Sequence, residues 1–297
     1  MSLKQNPKIP EGINYSQENP LKEFFLLVLG IGFFIVLLIT TLSYSVQLLS
    51  SYIPFQWEIK AASHFPLESA LDNTKENSSE DSSPEGSTKS WQQAQNAIQI
   101  LGHKLAKQAD LDPEITLDFH LLKNETANAF ATLGGHIFIT TALLQTVQSE
   151  NALAMVIAHE IAHIKHRHPI QALSRGLIIQ LVLLTLTGDE SGAAIQSVLG
   201  QTSLITALSF NRDMESESDQ EALIILEKIY GHTGAADAFF LHMLENKSQP
   251  RWAEIFFTHP DVEKRIKAIQ KINVPTQVIL TPLDQRLTLY LQENTVK

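Results

Sequence analysis

The chain has no cysteine in 297 residues. That removes disulfide frameworks, thiolate metal sites, cysteine nucleophiles and lipid anchors built on an N-terminal cysteine. A basic footprint is also missing: 22 basic side chains face 32 acidic ones, a formal charge of −10, which argues against a nucleic-acid partner. Arginine is absent before Arg167, so an arginine-rich organelle presequence is excluded. If a metal is bound, imidazole and carboxylate must hold it, and eleven histidines are available.

Two long stretches each lack one kind of residue. From Phe24 to Trp57 there is no charge, and Phe24 to Leu42 is nearly continuous hydrocarbon. Nineteen helical residues cover roughly 28 Å, close to the thickness of a bilayer core. A cleavable signal has a shorter apolar region, and no small-x-small site follows here. The sequence therefore predicts a retained transmembrane anchor over residues 24–46, in contact with the lipid bilayer. Lys4, Lys8 and Lys22 precede it, while Lys60 alone lies within twenty residues after it. This bias places the tail, residues 1–23, in the cytoplasm and the rest outside, best met by a bacterial inner membrane with a periplasmic domain. Asp72 to Ser90 has no apolar residue, so residues 47–90 read as an extracytoplasmic stretch ending in a flexible acidic linker. The folded domain is expected over 91–297.

Within it, Ala94, Ile98, Leu101 and Leu105 fall on one face of a helix from Trp91 to Ala109. Ile115 to His120 alternates as a strand does. Residues 127–132, a Gly134-Gly135 turn and residues 136–140 read as a hairpin. A helix is predicted from about Ser149 to His168, ending before Pro169, and a short strand over 276–280. Helices fill most of the remainder. The expected class is α+β, mostly helical, with a small antiparallel sheet behind one transmembrane helix.

The chemistry concentrates in His159-Glu160-Ile161-Ala162-His163. Residues four apart on a helix project from one face, so both imidazoles can converge on one zinc ion, with Glu160 beside them as a general base. A chain of this composition would show the HExxH pattern by chance about 0.03 times. The apolar run Leu153 to Ala158 marks the helix as buried. The position ten residues after His159, which a third histidine would occupy, is Pro169. His166 lies one turn too far along a straight helix to complete a tetrahedron. A carboxylate from a second helix is the alternative. Between Asn211 and Glu227, Glu215 and Asp219 are four apart and share a face, whereas Glu217 points about 200° away from Glu215. A ligand at Glu215 with Asp219 orienting an imidazole is one reading of that stretch; an acidic solvated face is the other.

HEIAHIKHRH followed by NRDMESESD resembles the gluzincin zinc metallopeptidases of family M48, of the single-anchor periplasmic kind. Further agreement comes from Asn128-Ala129-Phe130-Ala131, Gly134-Gly135-His136-Ile137, and Thr258-His259-Pro260 ending in Arg265-Ile266. Asn211 and Ser218 depart from the family's usual serine and alanine, and neither is a ligand position. The resemblance covers about Trp91 to Ile272. It implies a zincin-like fold and a metalloendopeptidase with one Zn2+ per chain, held by His159, His163 and Glu215. Glu160 is then the base and Asp219 the carboxylate that steadies a ligand. It also implies quality control of misfolded or unassembled envelope proteins.

Two expectations follow from the resemblance. His259 either polarises the scissile carbonyl, caps the zinc, or merely anchors its loop. The strand His136-Ile137-Phe138-Ile139 is expected to be the edge on which extended substrates dock. A capped, rarely cutting chaperone or binding module is the rival function. Leu177 to Thr187 is apolar but eleven residues long, too short to span a bilayer, so a membrane-facing or buried hairpin is expected there rather than two further spans.

Overall fold

A computed structural model describes residues 19–63, 85–187, 210–246, 258–272 and 278–295. The chain divides into two units, Met1–Leu42 and Ser43–Lys297. The first is dominated by helix α1 (Pro20–Leu49), along which no residue is buried. Asn19 Oδ1 accepts from the Leu21 amide, and Pro20 occupies the first helical position, where its missing N–H costs nothing. Thr40 conceals its hydroxyl by donating to the Val36 carbonyl at 2.8 Å, so a polar residue is tolerated in an apolar helix. Among the described residues this is the one helix long and apolar enough to cross a membrane.

The second unit begins before the expected domain. After a 3-10 turn at Ser50–Tyr52 comes helix α2 (Phe55–Ala62), which buries Phe55 and Glu58. Helix α3 (Glu85–Ala106) starts six residues ahead of Trp91. Residues 72–84 of the proposed linker lie outside the described residues. On α3, Ala94, Ile98, Leu101 and Leu105 are buried, the predicted face.

Three strands follow: β1 (Asp118–Leu122), β2 (Ala129–Ala131) and β3 (His136–Thr140). Their order is β1-β3-β2. The hairpin of β2 and β3 is antiparallel as predicted, but β1 runs parallel to β3, so the sheet is mixed rather than antiparallel. The period-2 pattern marks strands without naming their neighbours, and here β3 inserts between its two predecessors. The turn needs its glycines: Gly134 and Gly135 have φ of 78° and 86°, and a Cβ on Gly135 would lie 1.9 Å from the Thr116 carbonyl oxygen. The outer edge of β1 is closed by side chains. Gln95 donates to the Phe119 carbonyl at 2.7 Å and accepts from the Leu121 amide at 2.6 Å, and Gln99 donates to the Phe119 carbonyl at 2.8 Å. Among the described residues, the outer edge of β2 is paired with no strand.

A single turn, α4 (Thr141–Leu144), leads to α5 (Glu150–Lys165), which is buried on every side and forms the centre of the core. It ends at a turn where Arg167 takes φ 61°, and α6 (His168–Thr187) restarts with Pro169 in its first turn. The predicted stop before Pro169 is therefore a break and not an end. Residues 188–209 lie outside the described residues, and with them most of the expected hairpin. Helices α7 (Arg212–Tyr230), α8 (Ala238–Glu245), α9 (Val262–Lys271) and α10 (Gln285–Thr295) complete the unit. Residues 278–280, expected as strand, have no regular structure.

Helix α2 is tied to both ends of this core. Arg167 donates through Nε to Glu58 at 2.6 Å and through NH2 to the Ile53 carbonyl at 2.9 Å. Gln171 donates to Ser50 Oγ at 3.1 Å, and α2 packs against the Leu133–Gly135 turn.

Candidate metal centre

Two capped helices build the site. On α5, Ser149 accepts from the Ala152 amide, and the apolar run to Ala158 sinks the helix into the core. His159 and His163, one turn apart, then face the same way, with their Nε2 atoms 2.9 Å apart. On α7, Asn211 Oδ1 caps the Asp213 and Met214 amides at 3.0 Å, so Glu215 and Asp219 leave the first turns on the face toward α5. Both acids are buried, which excludes the solvated-face reading. Glu215 lies 3.5 Å from His159 Nε2 and 3.4 Å from His163 Nε2. His259 joins them: its Nδ1 is 3.1 Å from Glu215 Oε1, and its Nε2 is 3.7 Å from Glu160 Oε1. Donor atoms of His159, His163, Glu215 and His259 all lie within 4.8 Å of one another.

These residues fit a zinc ion. Asp219 Oδ1 is 2.9 Å from His159 Nδ1, and His168 Nδ1 is 2.9 Å from His163 Nδ1, so an outer partner engages the far nitrogen of each ring. That leaves both Nε2 atoms aimed at the common point, the arrangement in which outer hydrogen bonds orient ligating imidazoles. His168 is itself held by Glu217 at 3.3 Å. His259 Nε2 and Glu160 Oε2 are buried with no hydrogen-bond partner, and polar atoms in such a place imply a missing ligand. Two imidazoles and a carboxylate form a familiar catalytic zinc set.

The charges are balanced by Arg265, to which sequence reasoning assigned no role. It grips Asp219 with Nε and NH2 at 2.8 and 2.7 Å, and its NH1 is 2.5 Å from Glu215. Burial alone would raise the Glu215 carboxyl, but the Arg265 charge, His259 and the hydrogen bonds from His159 and His163 hold it well below the usual carboxylate range. Asp219, buried likewise, is brought down to about 2, chiefly by Arg265. Burial and the Arg265 charge oppose protonation of His159, yet the hydrogen bonds to Asp219 and Glu215 outweigh them and hold it up at about 9. Burial pushes the Glu160 carboxyl up, against the pull of His259 and His159, the direction a general base near neutral pH requires.

The expected docking strand is not an edge. His136, Ile137, Phe138 and Ile139 lie on the middle strand, with β1 paired along one side and β2 along the other, and Ile137 and Ile139 are fully buried. The strand edge beside the metal centre that no other described strand pairs belongs to β2, whose residues are buried. Hydrogen bonds from Thr140 N–H to Asn128 and from Thr132 N–H to His136 place residues 128 and 132 in hydrogen-bonded pairs. Alternation then turns the backbone groups of Ala129 and Ala131 outward. The Ala131 amide donates to Glu160, and Ala129 lines the cleft with Val156, Phe239, Phe240 and Met243. His166 stays out of the cluster: it caps α5, and its Nδ1 is 3.1 Å from Glu217.

Comparison with known proteins matches the same region. The sequence profile of Peptidase family M48 matches residues 92–273. The beta-barrel assembly-enhancing protease of Escherichia coli is 30% identical over 180 residues, covering 57% of this chain and 37% of that protein. Its namesake from Yersinia pestis is 28% identical with the same coverage. The mitochondrial metalloendopeptidase OMA1 of Schizosaccharomyces pombe is 30% identical over 161 residues, 53% of this chain and 47% of the relative. The chain thus spans less than half the length of these curated relatives.

Proposed function

Because this chain belongs to peptidase family M48, we propose that it is a membrane-anchored zinc metalloendopeptidase. The observation that carries the reading is the buried convergence of His159, His163 and Glu215, with Glu160 alongside and, among the described residues, a strand edge next to it that no other strand pairs. Those three residues would hold a zinc ion, which would supply Lewis acidity toward a water and a carbonyl oxygen. The chain's own residues do the rest. The outward amide and carbonyl of Ala129 and the outward carbonyl of Ala131 pair with an extended substrate, while the Ala131 amide holds Glu160. Glu160 takes a proton from the attacking water and delivers it to the departing amine. Asp219 and His168 hold the imidazoles in place, and Arg265 keeps Glu215 and Asp219 ionised.

Strand pairing reads backbone extension and not side-chain identity, which favours unfolded chains as substrates. Relatives named for beta-barrel assembly support misfolded or unassembled envelope proteins as the class met in the cell. The lysine bias around α1 supports a cytoplasmic N-terminus and a catalytic domain on the periplasmic side of the inner membrane. Phosphatase fusions at residue 63 and at residue 295 test that placement, since cytoplasmic fusions would be inactive.

The activity is tested with the full chain in detergent, comparing cleavage of an unfolded protein by the wild type and by Glu160→Gln with zinc content measured in both. Cleavage by the wild type, lost on chelation and regained with zinc, is expected; Glu160→Gln should keep zinc and lose about 10²–10⁴-fold in rate. A second reading rests on His259. As a fourth buried donor among the four that could hold an ion, it would occupy the position that a catalytic zinc keeps open and make the resting enzyme latent.

A further inference from the structure

A second cluster of metal-binding side chains lies on the sheet and shares no residue with the catalytic set. The parallel register places Asp118 opposite His136, and His120 is two residues further along β1. The period of two puts these three side chains on one face, while Phe119 and Ile137 fill the core on the other. His120 Nε2 and His136 Nδ1 are 3.1 Å apart, and donor atoms from all three residues lie within 4.8 Å of one another.

That spacing has a chemical meaning. Two imidazole nitrogens bound to one tetrahedral zinc, each at its normal bond length, sit about 3.3 Å apart. The catalytic pair His159 and His163 shows a comparable 2.9 Å. A simple N–H···N bond would also bring two rings together, but it would not need the carboxylate directly across the ladder. The surroundings are built as well. The His120 ring stacks on Phe138, with centroids 4.8 Å apart and planes 20° apart, and Phe138 stacks in turn on Phe130 at 5.1 Å. This aromatic floor restricts the imidazole to one orientation. Gln99 donates to Asp118 Oδ1 at 3.3 Å and to the Phe119 carbonyl, tying the carboxylate to α3. Asp118 is exposed and both histidines are half-buried, so water can complete the coordination.

We propose that Asp118, His120 and His136 form a second divalent-metal site. Two imidazoles and one carboxylate suit zinc and its transition-metal neighbours, whereas calcium and magnesium require more oxygen donors. A cation there staples β1 to β3 and so stiffens the sheet whose outer strand is β2. The inference does not depend on the chain being a protease.

The test is zinc stoichiometry on the full chain in detergent, stripped of metal and then equilibrated with low-micromolar zinc before elemental analysis. The wild type is expected to hold two ions, His120→Asn/His136→Asn one, and His159→Asn one. In Asp118→Asn, which removes one donor and keeps both rings, the weaker ion should be lost at a chelator concentration at least tenfold lower than in the wild type. Zinc beyond the first equivalent should raise the melting temperature of the wild type and not of the double variant. Loss of all zinc in His159→Asn, or a zinc count in the double variant equal to that of the wild type, would overturn the proposal. If the double variant does not fold, the Asp118→Asn chelator titration decides, and an unchanged profile overturns it equally.

Discussion

Arg167, two residues beyond the end of the metal-binding helix, donates its Nε–H at 2.6 Å to Glu58, a residue of the first short helix after the membrane segment. The two are 109 positions apart in sequence, and both are nearly buried. The guanidinium also lies 5.4 Å from the centre of the Phe55 ring. The segment next to the anchor is thus part of the catalytic body, contacting the turn that ends α5 and the glycine turn that leads into β3.

Removing one partner of this pair strands the other charge. Glu58→Gln should cost about 3–5 kcal/mol of stability, while Glu58→Met with Arg167→Met should recover most of the loss because no buried charge remains. Denaturant unfolding of the three proteins checks this. A loss below 1 kcal/mol in Glu58→Gln would show that water reaches the pair.

Backbone recognition at β2 predicts a particular insensitivity. Peptides that differ in side chains but stay extended should be cut at similar rates. Methylating one substrate amide nitrogen that pairs with Ala129 or Ala131 should lower kcat/KM about tenfold, the worth of one hydrogen bond near 1.4 kcal/mol. Equal cleavage of every N-methylated peptide in a scan across the scissile bond would remove strand pairing from the mechanism.

Asp219 acts through His159. Asp219→Asn keeps the shape but weakens the charge that orients the ring, so zinc affinity should fall by about 10–100-fold. Activity at saturating zinc should suffer much less. Competition with a chromogenic chelator separates the two effects. A large loss at saturating zinc would mean that Asp219 does more than orient the ligand.

His259 gives the sharpest sign. If its ring occupies the open position, His259→Ala should raise the resting rate on unfolded protein several-fold at unchanged zinc content. A rate that drops instead would assign the ring to polarising the carbonyl, and no change would leave it as a loop anchor.

Much of this site was legible in the chain because helical spacing is local. His159 and His163, and Glu215 and Asp219, each lie four apart, and a buried helix announces itself in the run Leu153 to Ala158. Charge-free residues 24–42 likewise declared the apolar helix. What was not legible depends on pairings across long separations. Arg265 meets Asp219 over 46 positions and Glu58 meets Arg167 over 109, with nothing in either neighbourhood to announce its partner. Strand order was hidden for the same reason: His136 to Ile139 look like any amphipathic strand until β1 closes their second side. His168 was visible within the histidine cluster, but its contact with His163 depends on the break at Arg167.

The stretch 72–90 that composition presents as a tether follows α2, and the described residues on either side of 64–84, Ser63 and Glu85, belong to the same unit. It therefore does not lie between α1 and α2. A single proteolytic cut within 64–84 would sever the chain without freeing the enzyme, since α2 would stay docked through Phe55, Glu58 and its contact with the Leu133–Gly135 turn. The two halves should sediment together with membranes and part only under denaturant.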